Sequence, residues 1–262
     1  MIDNPRSPRV RAVAKLAKRT AREETGYFLV EGPQAVEEAF AHRPELAIDL
    51  FITRAALDRH GDFGAAAAAV EVEVVSDAVL EAMADTVTPQ GVVAVFALHD
   101  QSVDSVLDRS PRLLAVLDEI RDPGNAGTII RAADATGADG VVFTGKHVDV
   151  FNPKVVRSST GSLFHLPLAQ NAALDATVAA VREAGLQVLA ADVKGEELPG
   201  VRQLLPHPTA WLFGNEAHGL SDEALELADR VVRLPIYGHA ESLNLATAAS
   251  VCLYESAFAQ RA

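Results

Sequence analysis

Leu113-Leu-Ala-Val-Leu-Asp-Glu-Ile-Arg-Asp-Pro-Gly-Asn-Ala-Gly-Thr-Ile-Ile-Arg131 is the stretch that decides the fold. Its first five residues are apolar on both faces, as in a strand buried within a parallel sheet. Pro123-Gly124 marks a turn, and Asn125 stands where a helix N-cap belongs. The helix is expected over Ala126 to Ala135. A buried strand passing through a short turn into a helix is the repeating unit of α/β layer folds.

The same alternation extends in both directions. Towards the C-terminus, strands are expected at Gly140–Phe143, Gln187–Ala191, Ala210–Phe213 and Val231–Leu234. Helices are expected at Ala173–Ala184, Asp222–Ala228 and Ser242–Phe258. Towards the N-terminus, strands are read at Tyr27–Val30, Leu46–Ile52, Val72–Val75 and Val92–Leu98. Helices fall at Ser7–Arg22, Gln34–His42, Ala65–Ala69 and Val79–Met83. The polar stretch His99–Arg112 separates the two runs, as a linker or a short connecting helix. The expected division is therefore a domain over 1–98, a linker over 99–110 and a domain over 111–262.

Of 262 residues, 49% are hydrophobic and 23% charged, a globular composition. No apolar run approaches the roughly 20 residues of a membrane span, and no apolar leader follows Met1. One cysteine, Cys252, rules out an internal disulfide framework and cysteine-based zinc clusters. It falls inside an expected helix, where a buried, inert thiol is the ordinary reading. A cytoplasmic protein is expected. The net charge of −13 argues against a polyanionic partner, but the distribution does not. Arg6, Arg9, Arg11, Lys15, Lys18, Arg19 and Arg22 face one acid, Asp3, in the first 22 residues. This segment is either a solvated amphipathic helix or a local nucleic-acid grip.

Three blocks carry the candidate chemistry. In the first, Asn125 is either a simple cap or part of an anion site at a helix N-terminus, and Arg131 follows on the helix. The second is Trp211-Leu-Phe-Gly-Asn-Glu-Ala-His-Gly-Leu-Ser221. Gly214 permits close backbone approach, and Glu216 is either a turn residue or a carboxylate at a strand's C-terminal edge, where ligands of open α/β sheets gather. The third is Leu234-Pro-Ile-Tyr-Gly-His-Ala-Glu-Ser-Leu-Asn244, a loop feeding a small-residue helix, with Ser242 a possible cap and Asn244 in the first turn. Other signals fail. Gly140–His147 lacks the Ser/Thr a P-loop needs after its lysine. No Gly-x-Gly-x-x-Gly follows a strand, which argues against a dinucleotide oxidoreductase. The eight histidines show no ligand-spaced pair, so no metal is expected.

The three blocks, in this order, resemble the SpoU (TrmH) family of RNA ribose 2′-O-methyltransferases of the SPOUT class, in its thiostrepton-resistance-like branch. Asn152-Pro-Lys-Val-Val-Arg-Ser-Ser-Thr-Gly161-Ser-Leu-Phe-His-Leu-Pro167 also looks like the family. The resemblance covers roughly 111–262. The leading part is similar to a small ribosomal-protein-like α/β substrate-binding domain, through Tyr27-Phe-Leu-Val-Glu-Gly32 and its basic lead.

The resemblance implies a C-terminal trefoil-knot domain with a parallel sheet, an obligate homodimer, S-adenosylmethionine as cofactor and RNA as substrate. Ribosomal RNA is favoured over transfer RNA, and a non-catalytic RNA-binding scaffold is the other alternative. By resemblance, Asn125, Arg131, Glu216, Ser242 and Asn244 form the reaction centre. Gly214, Leu234, Ile236 and Leu243 hold the cofactor. Arg9, Arg11, Lys15, Lys18, Arg19, Arg157 and Ser158 contact RNA.

Overall fold

The computed structural model describes residues 2–60 and 70–262. The helix expected at 65–69 lies outside them. The chain forms two compact units, one of residues 1–99 with 149–165, the other of residues 100–148 with 166–262.

The second unit is a six-stranded, all-parallel sheet. Its strands are β5 (Leu113–Asp118), β6 (Gly140–Thr144), β7 (Leu168–Ala172), β8 (Gln187–Glu197), β9 (Thr209–Phe213) and β10 (Arg230–Arg233), in the order β10-β8-β9-β5-β6-β7. The central strands β5 and β9 are buried almost throughout, as their continuous apolar runs predict. From β5 the chain steps outward through β6 and β7, then crosses to the other side for β8. The order therefore reverses between β5 and β9, and ligands of such sheets bind beyond the strand ends at this switch point. The loops leaving β5 and β9 are the first two sequence blocks.

Helix starts differ from expectation by a few residues, for physical reasons. In the helix Pro123–Ala135, Asp122 is the N-cap, accepting from the Asn125 N–H at 2.8 Å, and Pro123 occupies the first turn. Asn125 is thus inside the helix, which frees its side chain. In the helix Leu245–Gln260 the cap is Asn244 rather than Ser242. No periodic signal marked the short edge strand β7 or, in the first unit, the helices Arg54–His60 and Pro153–Ser159. β8 runs on to Glu197 because a bulge between Val231 and Val232 lets its polar end keep pairing with β10. In place of a plain linker, residues 103–107 form a helix whose Val106 is fully buried in this unit's core.

Helix Leu245–Gln260 packs on helix Pro123–Ala135 and on the sheet. Its Cys252 is buried and its thiol pushed up to about 12 by desolvation, which keeps it protonated and inert at neutral pH.

The first unit holds a four-stranded sheet of β1 (Tyr27–Glu31), β2 (Ala47–Thr53), β3 (Val72–Val75) and β4 (Val92–Ala97), ordered β1-β4-β2-β3. Residues 149–165, inside the stretch expected to form the second domain, pack here instead. Phe151 and Phe164 join Phe28 at ring separations of 4.8 and 6.0 Å. The basic segment is two helices, Pro8–Lys15 and Arg19–Thr25, not one. The break lets Arg22 turn inward: it is 2% exposed, donates to the Leu16 carbonyl at 2.7 Å and pairs with Asp149. Among the described residues, no helix is long and apolar enough to cross a membrane.

In the second unit Trp211 is fully buried, its indole N–H donating to Ser256 Oγ at 2.9 Å. Ser256→Ala leaves that donor unsatisfied at a cost of about 1–3 kcal/mol. Urea unfolding followed by the fluorescence of this single tryptophan should show the midpoint fall, and an unchanged midpoint contradicts the assignment.

Candidate active site

The loop after β5 begins with Glu119 in the left-handed region, φ 54°. Its carbonyl accepts from Asn215 Nδ2 at 2.9 Å, which ties the loop after β9 to the loop after β5. That second loop doubles back on itself. Asn215 and Gly219 exchange N–H···O bonds of 3.0 and 2.9 Å. A Cβ on Gly214 would lie 2.4 Å from the Gly219 carbonyl carbon, so the fold requires glycine there.

The turn delivers Glu216 to the start of helix Pro123–Ala135. Glu216 Oε1 accepts from the Asp122 N–H at 2.9 Å, and Oε2 from the Arg121 N–H at 3.2 Å. An anion is favoured at this position, because the helix N-terminus presents unpaired N–H groups and the positive end of its dipole. The sequence suggested an external phosphate or carboxylate here, and the protein fills the position with its own.

From Glu216 a directed chain of hydrogen bonds crosses to the third block. Asn125 Nδ2 donates to Glu216 Oε1 at 3.4 Å, and Asn244 Nδ2 donates to Asn125 Oδ1 at 2.9 Å. Asn244 Oδ1 accepts from the N–H groups of Ala246 and Thr247 at 2.9 and 3.2 Å. Main-chain donors at both ends set the direction. Asn244 must turn its oxygen to its own helix, so its amide faces Asn125, whose amide then faces the carboxylate. Each carboxamide keeps a second N–H outside the chain. Burial pushes the neighbouring Asp118 carboxyl upward, opposed by the Thr144 hydroxyl donating to it at 2.7 Å.

Asn125, Glu216 and Asn244 are therefore brought together from three distant blocks. Arg131 is exposed on the same helix. It lies six residues on from Asn125, about 9 Å along the axis and roughly 120° around it. Ser242 is exposed in the loop before Asn244. Asn215 was legible only as the neighbour of Glu216; its bond to a remote carbonyl has no sequence signal.

Over the third loop, Leu234 and Ile236 are half-buried and Leu243 is 41% exposed. Among the described residues, no N–H of 236–243 donates to a main-chain carbonyl. Main-chain groups without main-chain partners beside partly exposed aliphatic side chains are features of a ligand-binding surface.

The cations expected to touch RNA lie in the first unit and divide into two groups. Arg9 bridges Asp49 and Glu73 at 2.6 and 2.7 Å, Arg19 pairs with Glu23 at 2.7 Å, and Arg157 pairs with Glu31 and Asp85 at 2.8 and 3.0 Å. Ser158 Oγ donates to the Lys154 carbonyl at 2.7 Å. Arg11, Lys15 and Lys18 are exposed, with no ion pair among the described residues.

Residues 112–254 match the SpoU rRNA Methylase family, and residues 7–94 match the MRM3-like substrate binding domain. The chain belongs to the SpoU rRNA methylase family. It is 31% identical to the 23S rRNA (guanosine(2553)-2'-O)-methyltransferase RlmP of Bacillus subtilis, over 97% of each chain. It is 34% identical to the 23S rRNA (uridine(2479)-2'-O)-methyltransferase of Streptomyces viridochromogenes, over 93% of this chain and 86% of that one. Its fold matches the AdoMet-bound rRNA methyltransferase of Sinorhizobium meliloti with a TM-score of 0.84 at 30% identity, over 97% of this chain and 96% of that one.

The directed chain is testable. Asn244→Asp keeps a good helix cap but sets an acceptor against Asn125 Oδ1. Flipping Asn125 then opposes its oxygen to Glu216. The variant should lose about 1–3 kcal/mol. Adding Asn125→Ala, which removes the opposed carboxamide, should cancel most of that added cost. A double-mutant cycle by chemical denaturation showing simple additivity contradicts the chain.

Proposed function

We propose that this protein transfers a methyl group from S-adenosylmethionine to a ribose 2′-hydroxyl of ribosomal RNA in the cytoplasm. The observation that carries the reading is the Asn244–Asn125–Glu216 chain, which joins all three blocks at the sheet's switch point in a chain of the SpoU family. The related enzymes of Bacillus and Streptomyces support ribosomal RNA as the substrate class.

Gly214, Leu234, Ile236 and Leu243 hold the cofactor, the turn at Gly214 giving close backbone approach and the aliphatic side chains a surface for adenine. S-adenosylmethionine, when bound, supplies a methyl group already activated by its sulfonium, so the transfer calls for no metal. The protein's task is alignment and removal of the hydroxyl proton. Asn125 and Asn244 offer their second N–H groups to substrate oxygens, in positions fixed by the chain. Glu216 orients Asn125. The hydroxyl proton passes to Glu216 or to water. Ser242, exposed beside Asn244, adds a hydroxyl to the same rim. Arg131 keeps its proton throughout. It clamps an RNA phosphate, and its field favours the alkoxide.

The working form is a homodimer. Val251, Tyr254 and Phe258, spaced along one side of helix Leu245–Gln260, are 39%, 38% and 66% exposed. A helix apolar on all sides is normally buried on all sides, and a second copy provides the missing cover.

Arg131→Lys retains the charge but not the fork that grips a phosphate at two points. Turnover should fall by about tenfold or more, and by more than RNA binding, which the retained charge partly preserves. Transfer of labelled methyl to rRNA transcripts and filter binding read the two quantities. Full turnover removes the guanidinium from the mechanism, and labelling of transfer RNA alone moves the enzyme to that substrate.

Arg11, Lys15 and Lys18 attract the RNA backbone without reading sequence. Reversing all three to Glu should weaken RNA binding and reduce the slope of log K against log salt by about 2–3. An unchanged slope excludes this face.

A further inference from the structure

We propose that the first unit carries a divalent-metal site, made by Glu38, His42 and His165 and of the kind that takes Zn2+. Glu38 and His42 are four residues apart on helix Pro33–His42 and so share one face. His165 directly follows the single turn Ser162–Phe164. Glu38 Oε2 lies 3.2 Å from His165 Nε2 and 3.5 Å from His42 Nε2. One ligand atom from each residue lies within 4.8 Å of the others. In a tetrahedral zinc site with bonds of about 2.0–2.1 Å, neighbouring ligand atoms stand about 3.3–3.4 Å apart. Two edges of the triangle already have that length, and a modest turn of one imidazole closes the third.

One feature beyond proximity favours a built site. Gly161 has φ 96°, and a Cβ there would sit 2.6 Å from Glu38 Cβ and 2.7 Å from its Cγ. Glycine is what lets the segment carrying His165 come this close to the helix. The imidazole rings of His42 and His165 lie with centroids 4.0 Å apart. Two imidazoles and one carboxylate form a donor set that suits Zn2+, and the half-exposed side of His42 leaves the fourth position to water. The ion would link helix Pro33–His42 to the segment 149–165 within one unit, stabilising the folded form that binds it. The site takes no part in methyl transfer, and its presence is independent of that function.

Untagged full-length protein, stripped with chelator, is titrated with Co2+ as a spectroscopic stand-in for Zn2+. One equivalent should produce the intense visible bands of four-coordinate Co2+, lost on adding Zn2+, and Zn2+ should raise the melting temperature. His165→Asn and Glu38→Gln, each folded by circular dichroism, should abolish both effects, while His207→Asn leaves them intact. Absence of the bands in the unmodified protein, or their persistence in both variants, overturns the proposal.

Discussion

A helix that begins inside a protein leaves main-chain N–H groups without partners, and the methylase unit is organised around two such beginnings. Helices Pro123–Ala135 and Leu245–Gln260 pack together, and their N-termini are served by Asp122, Glu216 and Asn244. Capping and site assembly are thus one interaction. Asn244 satisfies its own helix with its oxygen and positions Asn125 with its amide. Glu216 satisfies the other helix and receives the far end of the chain. Removing Asp122, Glu216 or Asn244 exposes orphan donors as well as disturbing the chain, so helix capping and the placement of the two carboxamides depend on the same atoms.

The sheet explains why these loops meet. β5 and β9 are hydrogen-bonded neighbours, although about a hundred residues of chain separate them. Because the strand order reverses between them, their outgoing loops leave a crevice that the third loop, returning from the edge strand β10, can enter. Gly214 lets the loop after β9 fold back on itself, since a Cβ there would lie 2.4 Å from the Gly219 carbonyl carbon.

In the first unit charge is spent on architecture more than the basic sequence suggests. Arg22 and Arg9 tie helices to the unit's acidic residues, and Arg157 anchors its helix to Glu31 and Asp85. What remains exposed, at Arg11, Lys15 and Lys18, is a small patch on a chain of net charge −13. Such a patch can hold RNA locally without drawing polyanions to the whole surface.

Sequence alone determined the parts governed by local physics. Continuous apolar runs announced β5 and β9, since a strand buried on both faces has no polar position. The glycine-bearing turns and the order of the three blocks pointed to the family and to Asn125, Glu216 and Asn244. Tertiary structure decided what depends on partners remote in the chain. Asp122 took the cap from Asn125, Arg22 turned inward to Asp149, residues 149–165 joined the first unit, and His165 arrived beside Glu38 and His42. A local pattern reports which face of an element is apolar. It carries no record of which distant donor reaches which acceptor, because that is settled only when the layers pack.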